Sequence, residues 1–331
     1  MRWTWRFNGR ARDGQHKNGN GSDADGARPD FLCVGAHKSG TTWLYQQLDS
    51  HPDFWMPPIK ELHYLDQLSR VQRTSSPRCR DERDLRFLEN IRSLSAEQHM
   101  DLERYAQLFE PKASLLSGDI SPNYSTLSDG VIRRVVGYFP NLKVIFLARD
   151  PVERVWSHLS MEVRYRQIEP FDATDIDQVD RNLLRRGMLL RSYPSAIVAR
   201  WKRNVHPDRF RIYFFDDLKR SPTELRCSIL RFLGADPDKF ATANPSCGGP
   251  SGQLKANYNS WAGMEKLPLT DKVRSHLAQF FKKELKTCAA RLGGAAKSWP
   301  ARYGFSIVCF FWQVADYFDF FVWFDLDCPT L

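Results

Sequence analysis

The segment FLCVGAHKSGTTWLYQQL, residues 31–48, gives the clearest indication of the fold. Its first six residues form an apolar run, residues 37–40 form a polar turn, and residues 41–48 have the apolar spacing of a helix. The stretch therefore predicts a buried strand, a tight loop and a helix. The unpaired backbone N–H groups and the positive dipole end at such a helix start attract oxyanions. We therefore expect an anion site at this loop.

Further strands alternate with helices along the chain. KVIFLA (143–148) is followed by a break at residues 149–151 and a helical segment at 152–165, and FRIYFF (210–215) precedes a helix that ends at Gly234. This alternation predicts an α/β domain with a central parallel sheet flanked by helices. Ligands bind such sheets at the carboxyl ends of the strands. Residues 118–124 are predicted to form a turn, and residues from about 188 to 201 a helix.

The 37–42 loop has the residue types that an anion cradle needs. Lys38 supplies a positive charge, Gly40 allows close approach to the backbone, and Thr41 and Thr42 supply hydroxyl donors. Gly35 and Gly40 have the spacing of the nucleoside-triphosphate P-loop, but Thr41 stands where that motif has its Lys. This difference argues against a magnesium-dependent ATPase. The alternative is a capped helix with an incidental Lys.

The segment RDPVERVWS (149–157) predicts a second anion site. An Arg can hold a phosphate through two hydrogen bonds, and a Ser donates one more. Arg149 and Ser157 can face the same anion if the chain turns sharply at Pro151. The alternative is that Arg149 caps the sheet while Arg154 pairs with Glu153 or Glu162 on a solvated helix.

Both segments resemble motifs of the sulfotransferases that use 3′-phosphoadenosine 5′-phosphosulfate (PAPS). HKSGTTWL is similar to their P-loop-like 5′-phosphosulfate loop, [PR]-K-[ST]-G-T-T-x-L, with His37 in the first position. RDPVERVWS is similar to their 3′-phosphate motif, R-[DN]-P-x-x-R-x-x-S. The resemblance implies PAPS as the donor, Lys38 as a catalytic residue and no metal. The PAPS-binding residues that it implies are Lys38, Ser39, Gly40, Thr41, Thr42, Trp43, Arg149, Ser157 and, in a basic loop at 252–257, Lys255.

The segment KELHYLD (60–66) resembles the KE-x-H-[FY]-[FL]-D segment of the heparan-sulfate-type and related bacterial sulfotransferases. The resemblance implies that Glu61 is the general base and that His63 and Asp66 orient the site. The cytosolic phenol and steroid sulfotransferases use a His instead, so His63 is the alternative base. A purely structural alternative pairs Glu61 with Lys60 at the surface and buries His63 as a packed polar residue.

The segment GDISPNY (118–124) resembles the family's acceptor-cleft segment. The resemblance implies that Ser121, Pro122 and Tyr124 lie on the acceptor side, together with Asp66. Several eukaryotic members have a Lys near the start of this segment, where this chain has Asp119 and Ile120.

The function predicted from these motifs is transfer of a sulfuryl group from PAPS to a hydroxyl or amine. A glycan or other carbohydrate-containing acceptor is favoured. The formal net charge of +9 suits an anionic ligand, a polyanionic partner or a membrane surface. A nucleotide-dependent phosphotransferase and a non-enzymatic polyanion-binding protein are the alternatives. Nucleic acid is not expected as a partner, and no pattern indicates an oligomeric state.

Composition suggests an organisation into three parts. Residues 1–30 are polar, lack the apolar core of a signal peptide and are expected to be disordered, which favours a cytoplasmic protein. Residues 31–300 form the predicted sulfotransferase domain. Residues 301–331 form an apolar, aromatic tail. The seven scattered cysteines include no CxxC pair, which argues against a zinc site and a disulfide framework.

The apolar run at residues 305–324 has the length of a membrane span. Gln313, Asp316 and Asp319 would be unfavourable at the centre of a bilayer. Three alternatives stay open for this run: packing on the domain, which is favoured, peripheral contact with a membrane surface, and a dimer contact.

Overall fold

The structure is a computed structural model that describes residues 27–66, 79–94, 99–239 and 266–306. Four strands form one sheet in the order β2-β1-β3-β4. β1 and β2 run parallel, with Leu32 opposite Asp119. The predicted α/β class with a parallel sheet and flanking helices is confirmed. The strands are β1 (Phe31–Cys33), β2 (Gly118–Ile120), β3 (Lys143–Ala148) and β4 (Phe210–Phe214).

The helices alternate with the strands as the sequence predicts. In chain order they are α1 (Thr41–Asp49), α2 (Glu82–Leu94), α3 (Leu102–Gln107), α4 (Asp129–Tyr138), α5 (Pro151–Arg164), α6 (Ile176–Leu183), α7 (Arg186–Leu190), α8 (Pro194–Asn204), α9 (Phe215–Arg220), α10 (Pro222–Leu233), α11 (Asp271–Phe280) and α12 (Lys282–Leu292). The 3₁₀ turns are Glu110–Lys112, Pro122–Thr126, Pro207–Arg209, Gly294–Ser298 and Pro300–Tyr303.

The chain divides into two compact units. The first unit comprises residues up to 33, 42–144 and 226–253, and it contains β1, β2 and α1 to α4. Its core is aromatic: Phe31, Tyr105 and Phe109 are fully buried. The Tyr105 ring contacts the Phe109 ring edge-on, with 5.4 Å between centroids. Each such side chain stabilises the fold by about 1.5–3 kcal/mol through burial.

The second unit comprises residues 34–41, 145–225 and 254–331. Residues 34–36 continue beside β3, since Val34 N donates to Ile145 O at 2.9 Å and Leu147 N donates to Gly35 O at 2.7 Å. Trp201 and Trp299 are fully buried in its core.

Two local predictions were wrong. The single helix expected at 188–201 is broken, because α7 ends at Leu190 and α8 begins at Pro194. A proline lacks the N–H that a helix interior uses, but it suits the first position of a new helix. The turn expected at 118–124 is the strand β2 followed by a 3₁₀ turn that begins at Pro122. Three residues are too few for a strand to show its alternating pattern.

Some predictions concern residues outside the described ranges. Residues 1–26, Lys255 and residues 307–331, which hold most of the apolar run, are among them. The three-part division of the chain therefore stays a prediction. Within the described ranges, no helix combines the length and the apolar character needed to cross a bilayer.

Candidate functional site

The loop at residues 37–40 connects residues 34–36, which pair with β3, to the start of α1. Lys38 and Gly40 both have positive φ angles, of 66° and 94°. A Cβ atom on Gly40 would lie 2.6 Å from Cδ2 of Leu218 and 3.5 Å from the ring of Phe215. Glycine is therefore required here by conformation and by packing together.

The other residues predicted to hold the phosphosulfate differ in exposure. Ser39 and Thr41 are buried, whereas Thr42 is exposed on α1. Trp43 belongs to the first unit, where it lies in the core with 8% of its surface exposed. The Ser39 hydroxyl has no hydrogen-bond partner among the described residues. A buried, unpaired donor in an anion loop fits the phosphosulfate group of PAPS.

Arg149 lies against this loop, although the two motifs are far apart in the chain. Its Nη1 donates a hydrogen bond to the carbonyl oxygen of Lys38 at 2.5 Å, across 111 residues of sequence. Its guanidinium carbon lies 4.3 Å from the ring centroid of Phe215. Burial lowers the pKa of Arg149, and the carboxylate of Glu153 opposes this shift from 3.9 Å. The Arg side chain still remains a cation at neutral pH.

Ser157 and Arg154 both lie on α5, and Ser157 is half-buried there. Arg154 is only 1% exposed, and its guanidinium donates to Ser192 Oγ at 2.5 Å and contacts His158 Nδ1 at 3.3 Å. The alternative in which Arg154 pairs with a glutamate on a solvated helix is therefore wrong. Arg154 instead ties α5 to the connection between α7 and α8. Burial, with the nearby positive charge of Arg191, lowers the pKa of Arg154 to about 9.

A pair of stacked imidazoles supports the loop beside Lys38. The rings of His37 and His158 are parallel, with 5.4 Å between centroids. Nε2 of His158 lies 3.4 Å from Glu162. Burial, and then the positive charge of Arg154, strongly lower the pKa of His158. His158 is therefore neutral at physiological pH and offers His37 an uncharged ring to pack on.

Glu61, His63 and Asp66 form a cluster in the first unit. His63 Nδ1 lies 3.1 Å from Asp66 Oδ1, and His63 Nε2 lies 3.5 Å from Glu61 Oε2. Lys60 Nζ also donates to Glu61 Oε1. Glu61 and His63 have φ angles of 67° and 56°, an unfavourable conformation for residues other than glycine. Such conformations cost about 1–3 kcal/mol each and concentrate at functional sites.

The protonation of His63 follows from these neighbours. Burial on its own would lower the pKa of His63, but hydrogen bonds to Asp66 and Glu61 outweigh burial and raise the pKa to about 9. His63 is therefore an imidazolium at neutral pH. An imidazolium has no lone pair with which to accept a proton.

The predicted acceptor-side residues Ser121, Pro122 and Tyr124 lie beside this cluster. Ser121 Oγ accepts a hydrogen bond from His63 N at 3.4 Å, and Tyr124 Oη accepts one from Leu65 N at 3.3 Å. Pro122 begins the 3₁₀ turn that carries Tyr124.

Sequence reasoning missed three residues at these two places. Asp119 accepts hydrogen bonds from Ser121 and Tyr124, Asn123 Nδ2 lies 3.4 Å from His63 Nδ1, and Phe215 packs on Arg149. Phe215 follows directly after β4, so its position at a strand end was the available signal. Asp119 and Asn123 lie in the segment GDISPNY, whose resemblance to the acceptor-cleft motif was recognised, but that resemblance assigned neither residue a role. Among the described residues, no group of His, Cys, Asp and Glu is arranged to hold a metal ion.

Comparisons with known proteins assign this chain to a family. The sequence profile described as "Sulfotransferase family" matches residues 29–239. The bifunctional heparan sulfate N-deacetylase/N-sulfotransferase 4 of Mus musculus is 22% identical over 293 residues, which are 82% of this chain and 31% of that protein. A membrane-associated sulfotransferase of Dictyostelium discoideum is 28% identical over 141 residues, which are 41% of this chain and 24% of that protein. The chain thus spans less than a third of the length of either relative.

Among solved structures, the sulfotransferase from Alicyclobacillus acidocaldarius is similar in fold. Its TM-score is 0.58 at 22% identity, and the match covers 82% of this chain and 99% of that chain. The family profile matches more than half of the chain. The chain therefore belongs to the sulfotransferase family, whose enzymes use PAPS as the sulfuryl donor.

Proposed function

We propose that this protein transfers a sulfuryl group from PAPS to a hydroxyl or amine of a carbohydrate-containing acceptor. The observation that carries the proposal is the contact between Arg149 and the backbone of Lys38, at 2.5 Å. PAPS has a 3′-phosphate and a 5′-phosphosulfate, so its binding needs cationic groups from two motifs. The contact supports the assignment of both motifs to one donor.

The 37–42 loop and the segment that begins at Arg149 supply the groups for the donor. Lys38 and the N–H groups at the start of α1 bind the phosphosulfate, with the hydroxyls of Ser39, Thr41 and Thr42. Arg149 and Ser157 bind the 3′-phosphate. When bound, PAPS supplies a sulfuryl group activated by its phosphate leaving group. Lys38 stabilises the negative charge that grows on that phosphate, and one well-placed donor contributes on the order of 3–4 kcal/mol to such a step.

Glu61 is the base. The acceptor oxygen or nitrogen forms a bond to sulfur, the bond from sulfur to the bridging phosphate oxygen breaks, and Glu61 Oε2 takes the acceptor proton. The raised pKa of His63, about 9, supports this choice, because an imidazolium cannot accept the proton. The Glu61 carboxylate contacts Lys60 Nζ and lies 3.5 Å from His63 Nε2. The products are the sulfated acceptor and adenosine 3′,5′-bisphosphate.

The acceptor class rests on the polar character of the Glu61 cluster. Lys60 and Glu61 are half-buried, and the amide of Asn123 contacts His63. These groups can donate to and accept from several hydroxyls, as a sugar ring requires. The similarity of KELHYLD to the segment of heparan-sulfate-type enzymes supports the same class.

The test is a transfer assay with [³⁵S]PAPS. Acceptors would include oligosaccharides, glycolipids, phenols, steroids and peptides, and a labelled carbohydrate product is expected. Lys38→Ala should abolish the label, whereas Lys297→Ala, at an exposed position of the second unit, should not. Label on phenols or steroids alone would overturn the carbohydrate assignment.

A thermal shift with Mg-ATP but none with adenosine 3′,5′-bisphosphate would favour the phosphotransferase alternative. Salt-sensitive binding of polyanions without product would favour the non-enzymatic alternative.

A further inference from the structure

Asp119 is a buried carboxylate to which the proposed reaction assigns no role. It lies on β2 in the first unit with 1% of its surface exposed. Three hydroxyls hydrogen-bond to it: Ser121 Oγ at 2.6 Å, Tyr124 Oη at 2.6 Å and Tyr105 Oη at 3.0 Å. A carboxylate only accepts hydrogen bonds, so it fixes the direction in which each hydroxyl proton points.

Each of these partners contacts a different residue in one short segment. Ser121 Oγ accepts from His63 N at 3.4 Å, and Tyr124 Oη accepts from Leu65 N at 3.3 Å. The ring of Tyr105 stacks on the ring of Tyr64, with 5.0 Å between centroids and 8° between planes. Because the hydroxyl protons of Ser121 and Tyr124 point to Asp119, their lone pairs are left to accept from the backbone.

This segment holds the proposed base in place. His63 is two residues from Glu61, and its Nε2 lies 3.5 Å from Glu61 Oε2. Both residues have positive φ angles, so their conformation persists only where the surroundings enforce it. The three residues that contact residues 63–65, namely Ser121, Tyr124 and Tyr105, are all hydrogen-bonded to Asp119.

We propose that Asp119 is a positioning residue: through the three hydroxyls that it orients, it fixes residues 63–65 and thereby the carboxylate of Glu61. This inference rests on the proposed role of Glu61 as the base. An Asn at position 119 would have one acceptor and one donor atom. At least one hydroxyl would then have to reverse, and its lone pair would turn away from the backbone N–H.

The experiment compares Asp119→Asn with Asp84→Asn. Asp84 is a fully buried carboxylate in the same unit, and it accepts hydrogen bonds from Trp55 and Arg80. Both variants are expected to unfold at lower temperature than the wild type. Only Asp119→Asn should lower kcat, by at least fivefold, with the affinity for adenosine 3′,5′-bisphosphate within twofold of the wild type.

A second readout does not depend on turnover. The imidazole of His63 is titrated by NMR in the wild type and in both variants. Burial raises the pKa of Asp119, and the positive charge of His63 is among the influences that lower it. Because the two groups are coupled in this way, the pKa of His63 should fall in Asp119→Asn and stay unchanged in Asp84→Asn. If the wild type transfers no sulfuryl group, the proposed function fails, while this titration still tests the positioning role.

Conservative variants of the hydroxyl partners separate positioning from stability. Tyr124→Phe and Ser121→Ala each remove one link, so each should lower kcat by itself. A double variant that combines Asp119→Asn with Tyr124→Phe or Ser121→Ala should have a smaller fold-decrease in kcat than the product of the two single fold-decreases. The reason is that the two substitutions interrupt the same hydrogen-bonded connection. Multiplicative effects, or an unchanged kcat in Asp119→Asn, would overturn the proposal. If Asp119→Asn does not fold, the proposal is overturned by a wild-type kcat in both Tyr124→Phe and Ser121→Ala.

Discussion

The guanidinium of Arg149 donates a hydrogen bond to the carbonyl oxygen of Lys38 while it stacks on the ring of Phe215. The Phe215 ring also lies beside Gly40, 3.5 Å from the position that a Cβ atom on Gly40 would take. One aromatic residue at the end of β4 thus contacts both anion motifs of the second unit. This arrangement makes the position of the loop depend on the Arg, and the position of the Arg depend on the loop.

Arg149→Ala is expected to weaken the binding of adenosine 3′,5′-bisphosphate by at least tenfold, or about 1.4 kcal/mol. The variant loses the proposed 3′-phosphate ligand and the hydrogen bond to the loop. Arg149→Lys should recover only part of this affinity, since a Lys keeps the charge but not the planar fork or the ring stack. Calorimetric titration measures both. Arg220→Ala, which removes a well-exposed Arg of the same unit, is the control. Unchanged affinity in Arg149→Ala would refute the assignment.

Gly40→Ala should disrupt the phosphosulfate loop. The methyl group would lie 2.6 Å from Leu218 Cδ2, at a φ angle of 94° that residues other than glycine rarely adopt. We expect a loss of stability of about 1 kcal/mol or more and a weaker affinity for adenosine 3′,5′-bisphosphate. Thermal unfolding and calorimetry are the measurements. Gly137→Ala is the control, because nothing lies within 4 Å of a Cβ atom at Gly137. Equal stability and equal affinity in the two variants would contradict the assignment of this loop as the phosphosulfate site.

Glu61→Gln should lower kcat at least tenfold without loss of the fold. The amide has the shape of the carboxylate but cannot take the acceptor proton. Circular dichroism checks the fold, and the labelled transfer assay gives kcat. His63→Gln should also lower kcat, because it removes the positive charge beside Glu61. If Glu61→Gln keeps full activity while His63→Gln is inactive, His63 is the base instead.

Lys38→Ala should lower kcat at least tenfold, because it removes the charge that meets the developing phosphate anion. Single-turnover kinetics separates this effect from binding. Lys38→Arg should restore less than the full rate, since the guanidinium is larger and its charge is more diffuse. A wild-type rate in Lys38→Ala would rule out this Lys as the catalytic cation.

The pH dependence of stability should report the cluster around His63. The pKa of His63 is about 9 in the folded protein, above the ordinary value of 6.5. Its protonation therefore contributes stability fully below about pH 6.5, and the contribution is lost as the pH rises through about 9. The difference in unfolding free energy between the wild type and His63→Gln should shrink over this range. Urea titrations at several pH values measure it, and a constant difference would contradict the raised pKa.

Several elements could be predicted because their signals are local. KVIFLA is an apolar run long enough to be read as a buried strand, and Pro151 marks the start of α5. The helix beginning at Thr41 also follows from its own residues. Pro194 is a local signal for the break between α7 and α8, because it stands at the first position of α8. By contrast, β2 owes its existence to pairing with β1, and a three-residue segment contains no such information.

The α/β class, and the predictions of an anion loop at Lys38 and a second motif at Arg149, come from local sequence, because each depends on neighbours along the chain. The contact of Arg149 with Lys38, the raised pKa of His63 and the three hydroxyl groups hydrogen-bonded to Asp119 follow only from the folded chain. These properties arise from groups that are distant in sequence. Burial and the distances between charges set them, and both are fixed only when the chain has folded.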